Sequence, residues 1–501
     1  MPASQDDTGP MMNRRGMLRM TGAVAVVGLG TATAGAAPAD AAEALSSPAR
    51  ASGGLVHPGM LHTQADFDRM AAKVKAGTAP YKAGYAVLAA NSHAQSTWKP
   101  NPLARVVRGG DGTNVGTLYH DVHAAYQNAL RWKVTGDRAH ADAARDILNA
   151  WSAKLTALDG NADRFIAAGL HGYQFANAAE IMRDYPGFDL ARFQKMLVDV
   201  FYRQSSDFLA HHNGAYITNY WGSWDLLSIA CVLATGILCD DRDKVDEAVT
   251  YFKSGKGNGS VKNLIPHIHP GGLGQWVEVG RDQGHATLGV GLAGAIAELA
   301  WNQGIDLYGY DDNRLLKGFE YVAKWNLGHD VPYTAWTWNY GAPGVWSGSQ
   351  NLTAPSADSR GALRPIWESI YHHYVNRRGL DAPYVTEYAK KVRPEGGGGN
   401  YGEGGGFDQL GFGTLAFTRP KAIVPAGAPV PSQGTTADTG TTTAAQQPAT
   451  DGTGGTRAQG GKGNGLAATG AGGFAAVAAT GVLAIAGGII ALRRRGARDS
   501  D

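Results

Sequence analysis

Arg281 and His285 lie four residues apart in Gly280-Arg281-Asp282-Gln283-Gly284-His285, directly before an apolar stretch that opens at Ala286. Residues four apart share one face of a helix, so a permanent cation and a titratable imidazole would point the same way. The junction falls at the N-terminal end of the expected helix, where partial positive charge favours anions. Asp282 suits a cap there and could also orient a neighbouring cation. His267 and His269 lie just upstream, but no carboxylate or Cys completes a recognised ligand spacing with His285. Neither a metal nor another cofactor is therefore expected.

Two further junctions combine polar and aromatic residues. His211-His212-Asn213-Gly214-Ala215-Tyr216-Ile217-Thr218-Asn219-Tyr220-Trp221 leads into an apolar helix after Asp225. Asn219 is either a helix cap or part of a sugar-binding lining, since pyranose rings stack on aromatic faces such as that of Trp221. Gln275, in Gly274-Gln275-Trp276, is a candidate for the same lining. The third segment, Trp336-Thr337-Trp338-Asn339-Tyr340-Gly341, is too polar at its end to be a buried stripe, so Trp338 and Tyr340 are site candidates. Arg364 precedes a Pro at a helix start. It could hold a substrate carboxylate bidentately, or pair with Glu368 one turn on.

These residues must be positioned by helices. Ala143, Ile147, Leu148, Trp151 and Leu155 follow helical spacing, as do Leu288, Leu292, Ile296 and Leu299. Similar amphipathic stretches fall near 64–77, 119–135, 167–183, 190–210, 222–238, 313–326 and 364–377, separated by Gly-, Asp- or Asn-rich breaks. Alternating strand patterns are scarce. The expected fold is all-α, with paired helices closing into an α/α toroid over residues 55–420; an open helical solenoid is the alternative. Lys plus Arg number 45 against 43 Asp plus Glu, which argues against broad nucleic-acid binding.

The ends carry targeting signals. Arg14-Arg15-Gly16-Met17-Leu18-Arg19 precedes an Ala/Gly-rich apolar stretch, and residues 1–44 read as a twin-arginine signal peptide handled by the Tat translocase. Residues 424–465 hold Pro, Thr, Ala, Gly and Gln with almost no large apolar side chains, the composition of a disordered stalk. Leu466-Ala467-Ala468-Thr469-Gly470 is followed by an apolar run over 471–492 and then Arg493-Arg494-Arg495. That run is long enough to span a bilayer as a transmembrane helix, with the arginines on the cytoplasmic side. The two cysteines, Cys231 and Cys239, lie too far apart along one helix for a disulfide.

The tail resembles the sorting signal of Gram-positive surface proteins, in which a sortase cleaves between Thr and Gly and joins the Thr to peptidoglycan. Leu466, Thr469 and Gly470 are the matching positions. That resemblance implies a protein exported and anchored to the cell wall, or to the outer face of the cytoplasmic membrane, of a Gram-positive bacterium. The folded part resembles the alginate-lyase-type polysaccharide lyases over roughly residues 60 to 415. The match is carried by Ala129-Leu130-Arg131-Trp132 with Thr135-Gly136-Asp137, by Ile147-Leu148-Asn149-Ala150-Trp151-Ser152, by Asn219-Tyr220-Trp221, by the Gly280–His285 segment, and by Phe407-Asp408-Gln409-Leu410-Gly411. It is similar to the divergent lyases acting on alginate or glucuronan, polysaccharide lyase family 38 among them.

The resemblance implies a toroid that binds an anionic uronate polysaccharide and cleaves it by β-elimination. Asn219 would contact the substrate carboxylate. His285 would be base or neutraliser, Tyr340 acid or shared acid/base, and Arg281 and Arg364 electrostatic partners. Where the best-known alginate lyases carry Asn-Asn-His-x-Tyr-Trp, this chain has Ile217-Thr218-Asn219-Tyr220-Trp221. A glycoside hydrolase would instead need two carboxylates flanking the bond, for which Glu278, Asp282 and Glu368 are available. A non-catalytic polysaccharide-binding surface protein would keep only the aromatic cleft.

Overall fold

The computed structural model describes residues 54–399, 401 and 406–422. The segments expected to be a signal peptide (1–44), a linker (424–465) and a sorting signal with a membrane-spanning run (471–492) lie outside the described residues. Within them, no helix is long and apolar enough to cross a membrane.

The expected helices form. Thr63 and Asp66 make a reciprocal capping box at the start of α1 (Gln64–Lys75), and α2 (Tyr81–Ala90) follows. Strand β1 (Arg105–Arg108) leads into α3 (Val115–Thr135), which stops at Gly136 with φ 75°, a left-handed cap that glycine adopts without strain. Asp137 caps α4 (Arg138–Lys154). Strand β2 (Ala157–Gly160) pairs parallel with β1 and leads into α5 (Arg164–Ile181). Helix α6 (Leu190–Met196) continues through a π-helical turn at Leu197–Tyr202 into α7 (Arg203–His211). Next come α8 (Gly222–Leu238) and α9 (Arg242–Ser254). The short hairpin β3 (His267–His269) and β4 (Leu273–Gln275) precedes α10 (Gln283–Asn302) and α11 (Tyr310–Asn326). The hairpin β5 (Trp336–Ala342) and β6 (Trp346–Leu352) interrupts the helices before α12 (Trp367–Tyr371) and α13 (Pro383–Val392).

Helices α3, α5, α8, α10 and α12 form an inner row running in one direction. Parallel strands feed α3 and α5, so both start at the same end. Gly169 and Gly172 of α5 face Leu227 and Cys231 of α8, and Gly291 and Gly294 of α10 face Ile366 and Ile370, registers that increase together. The α5–α8 crossing is close: a Cβ at Gly169 would stand 2.1 Å from Leu227 Cδ1 and 2.7 Å from its carbonyl carbon. Every residue of α8 is buried, which explains its lack of a polar stripe. Helices α4, α7, α9, α11 and α13 pack outside this row. The amphipathic α4 buries only Ala, Ile, Leu, Trp, Ser and one His.

Both ends of the described chain meet. The Asp66 carboxylate, 2% exposed, receives Arg69 and Arg419 at 2.6 Å each. Arg69 also donates to the carbonyls of Ala416 and Thr418, and the Tyr81 hydroxyl donates to Thr418 at 2.6 Å. Cys231 and Cys239 are free thiols.

Candidate active site

The inner helices begin at one end, and the side chains singled out in the sequence collect around the starts of α8 and α10. Asp282 is the cap of α10: one carboxylate oxygen accepts the His285 backbone N–H at 2.7 Å. The same carboxylate accepts from His285 Nδ1 at 2.7 and 2.9 Å. Nδ1 must therefore carry the proton, which leaves the Nε2 lone pair to face Arg281. Arg281 Nη2 lies 3.2 Å from that Nε2, and Arg281 Nε lies 3.3 Å from Asp282.

Arg281 is poised rather than consumed by these contacts. Its guanidinium carbon sits 5.1 Å from the centre of the Trp221 ring, a cation–π arrangement. Its Nη1 is buried with no hydrogen-bond partner among the described residues. Beneath it lies Glu278, fully buried, with one oxygen accepting from Ser223 Oγ at 2.7 Å and the other without a hydrogen bond. Burial raises the Glu278 pKa more than Arg281 and His285 lower it. Burial also depresses the Arg281 pKa, against the pull of Glu278 and Asp282. At Asp282 burial works upward, but the hydrogen bond and charge of His285, together with Arg281, leave the carboxyl below its ordinary value.

The second wall is the β5–β6 hairpin. Trp336, Trp338 and Tyr340 alternate along β5 and so share one face. Trp221 lies 4.6 Å from Trp338 and 5.5 Å from Trp336, and Tyr340 lies 4.5 Å from Trp338. Opposite Tyr340 stands Gly348, where any Cβ would come 2.6 Å from the tyrosine ring and hydroxyl. The 212–221 loop docks this hairpin. Tyr216 N–H donates to the Gly341 carbonyl, Thr218 Oγ1 to the Asn339 carbonyl, and Trp338 Nε1 to the Asn219 carbonyl at 3.0 Å. Asn219 Oδ1 accepts the Gly341 N–H at 2.8 Å, which fixes the amide so that its NH2 is the end left to donate.

Asn219, Trp221, Arg281, His285, Trp338 and Tyr340 are thus linked in one cluster. Gln275 and Arg364 are not part of it. Gln275 is 1% exposed; its amide nitrogen donates to the Thr334 carbonyl and its oxygen accepts the Thr334 N–H, which pins the segment before β5. Arg364 is fully buried and donates to Thr287 Oγ1, the Gly284 carbonyl and Gln409 Oε1, bracing the first turn of α10 from behind. Glu368 pairs with Arg393 at 2.5 and 2.6 Å instead of with Arg364.

The three carboxylates that a hydrolase would draw on are all engaged in other ways. Glu278 is sealed, Asp282 holds His285, and Glu368 binds Arg393. His269 hydrogen-bonds Gln275, and among the described residues no group of three or more His, Cys, Asp or Glu side chains is placed to hold a metal. Sequence reasoning passed over Trp336 and treated Glu278 only as a hydrolase candidate. Trp336 was legible in the alternation of Trp336, Trp338 and Tyr340. Nothing in the sequence near Glu278 marks its burial.

The sequence model of a family described as alginate lyase matches residues 70–331. Among solved structures, the chain is similar to alginate lyase A1-III from Sphingomonas species A1, at 15% identity over 74% of this chain and 98% of that one, with a TM-score of 0.47. A tetrasaccharide complex of alginate lyase A1-III matches at 17% identity over the same shares, also with a TM-score of 0.47. An alginate lyase from Bacteroides ovatus matches at 14% identity over 52% of this chain and 82% of that one, with a TM-score of 0.40. No curated protein matches the chain.

Proposed function

The chain belongs to the alginate lyase family, and we propose from this that it cleaves 4-O-linked uronic-acid polymers, such as alginate, polymannuronate or glucuronan, by β-elimination. The observation that carries the site assignment is the Asp282–His285–Arg281 arrangement: an imidazole whose unprotonated Nε2 is fixed beside a half-buried guanidinium that keeps an unused N–H.

β-Elimination removes the weakly acidic C5 proton beside a carboxylate and expels the 4-O-linked sugar. Negative charge builds on the carboxylate, so donors aimed at it lower the barrier. Arg281 Nη1 and the Asn219 amide NH2 are suited to that task. His285 Nε2 takes the C5 proton, and the Asp282 carboxylate stabilises the imidazolium that forms. The Tyr340 hydroxyl returns a proton to the leaving oxygen. Trp221 and Trp338 supply the apolar faces on which sugar rings lie. Gln275 and Arg364 hold the walls of the site.

In this reading the inner and outer helix rows are an α/α toroid, with the site at the end where the inner helices begin. The enzyme works outside the cell, exported by the Tat translocase and joined by a sortase to the peptidoglycan of a Gram-positive wall through Leu466–Gly470, from which the stalk holds it outward. Unsaturated uronate products absorb in the ultraviolet. An absorbance gain on alginate or glucuronan, abolished in His285→Ala, is the expected result. New reducing ends without any absorbance gain would refute the lyase reading.

A further inference from the structure

The inner helices also end together, and at that end lies a cavity of about 340 Å³, within the range of roughly 300–1,000 Å³ usual for small-molecule sites. Its walls come from the last turn of α3 (Trp132, Lys133), the start of α4 (Arg138), and the end of α5 with the segment after it (Glu180, Asp184, Tyr185). Because His285 sits where the inner helices start, this cavity belongs to the opposite end of the row.

Three features of its lining point to a ligand. The Lys133 ammonium is held by ring faces, 4.4 Å from Trp132 and 5.2 Å from Phe67; the Asp184 and Asp68 carboxylates act on it from longer range, none of the described carboxylates coming within 4 Å. Glu180 is 3% exposed; His57 Nδ1 meets its Oε1 at 2.6 Å, but Oε2 has no hydrogen bond, its nearest cation being Arg183 Nη1 at 3.8 Å. A buried carboxylate oxygen without a donor is costly unless something supplies one. Thirdly, Trp132 and Tyr185 pack edge to face at 5.0 Å and give the cavity an aromatic wall. Arg183 and His57 are both bound to Asp240, whereas Arg138 and Asp184, which also line the cavity, are in no ion pair among the described residues.

We propose that this cavity is a second saccharide site, taking one uronate-type sugar ring away from the catalytic end. Glu180 Oε2 accepts a ring hydroxyl, Lys133 and Arg138 meet the sugar carboxylate, and the aromatic wall packs on the ring. The choice of a uronate among anionic sugars rests on the lyase reading; the placing of Lys133 and Arg138 beside an aromatic wall and a carboxylate oxygen without a hydrogen bond does not. Occupied, the site would hold a polymer or its product on the protein while the far end reacts.

The test is calorimetric titration of the full-length His285→Ala protein with mannuronate and glucuronate trisaccharides, with cellotriose as the uncharged counterpart. Two binding events are expected for at least one charged trisaccharide. Lys133→Met should weaken one of them at least tenfold, the other being unaffected, and Arg138→Ala, at an exposed position, should weaken the same event. A thermal melt of each variant separates lost folding from lost binding. A single event indifferent to both substitutions would overturn the proposal, as would cellotriose binding there equally well. Lysine-dependent binding in a protein whose wild type yields no unsaturated product would instead sink the lyase reading and leave the cavity assignment standing.

Discussion

Replacing Asp282 by Asn separates what this side chain does for the fold from what it does for the chemistry. Asn caps a helix about as well as Asp, so the bond to the His285 backbone N–H survives and stability falls by less than about 1 kcal/mol. The effect on the imidazole is different. The carboxylate, 2.7 Å from Nδ1, admits only the tautomer with the proton on Nδ1. An amide can turn its NH2 toward Nδ1, which drives the proton to Nε2 and aims it at Arg281 Nη2, 3.2 Å away, so that two donors face each other. The base is lost along with the charge that would stabilise its protonated form. Since a positioned general base contributes about 10²–10⁴-fold, kcat for unsaturated-product release should fall at least ~100-fold. The melting temperature should shift by only about 2 °C. A variant that keeps kcat within threefold of wild type, measured by ultraviolet absorbance on the best polymer substrate, would refute the assignment of His285 Nε2 as base.

Other consequences concern the fold. Asp66→Asn removes the shared partner of Arg69 and Arg419 and should cost about 3–5 kcal/mol, read from chemical denaturation. The Asp66 pKa is lowered: burial opposes this, but Arg419 and Arg69 outweigh it. Its contribution is therefore complete above the unfolded carboxylate value near ~4 and is lost as pH falls further toward the depressed folded value, so the variant's deficit should shrink in acid. Glu320 behaves oppositely. Burial lifts it to about 7 despite bonds from the Val385 and Tyr384 N–H groups, so its ionisation weakens the fold increasingly between the unfolded value near ~4 and that raised one. Glu320→Gln should raise the melting temperature at pH 8, by about 1–3 kcal/mol of stability, and change it little at pH 4. Gly169→Ala, forced against the Leu227 backbone, should destabilise by about 1–3 kcal/mol or more, with α5 and α8 pushed apart.

The helical periodicity located these helices closely: the stretches expected near 167–183, 190–210 and 222–238 fold as 164–181, 190–211 and 222–238. Apolar spacing reports burial directly, so strongly patterned helices were legible. The β5–β6 hairpin was not. Its Trp-Thr-Trp-Asn-Tyr alternation is that of a half-buried strand, but the aromatic side packs against Trp221 and the loop before it, more than a hundred residues away. The cluster of Arg281, Asp282 and His285 was legible because a helix start fixes all three locally. Arg364 was harder to place. Its neighbour in sequence, Glu368, offered a plausible pair, whereas the fold gives Glu368 to Arg393 and turns Arg364 toward Gln409 and the start of α10. Both outcomes depend on residues that local spacing cannot bring into view.

The meeting of Asp66 with Arg419 also sets a condition on how the protein is made. These partners are 353 positions apart, and one of the first helices to leave the ribosome carries a carboxylate that is buried only when one of the last described residues arrives. Until synthesis passes Arg419, the Asp66 end of the domain lacks its second cation and the Thr418 carbonyl that close it. The domain can therefore close only once nearly all of it has been made, and a chain truncated shortly before that clasp would be a substrate for degradation rather than a smaller enzyme.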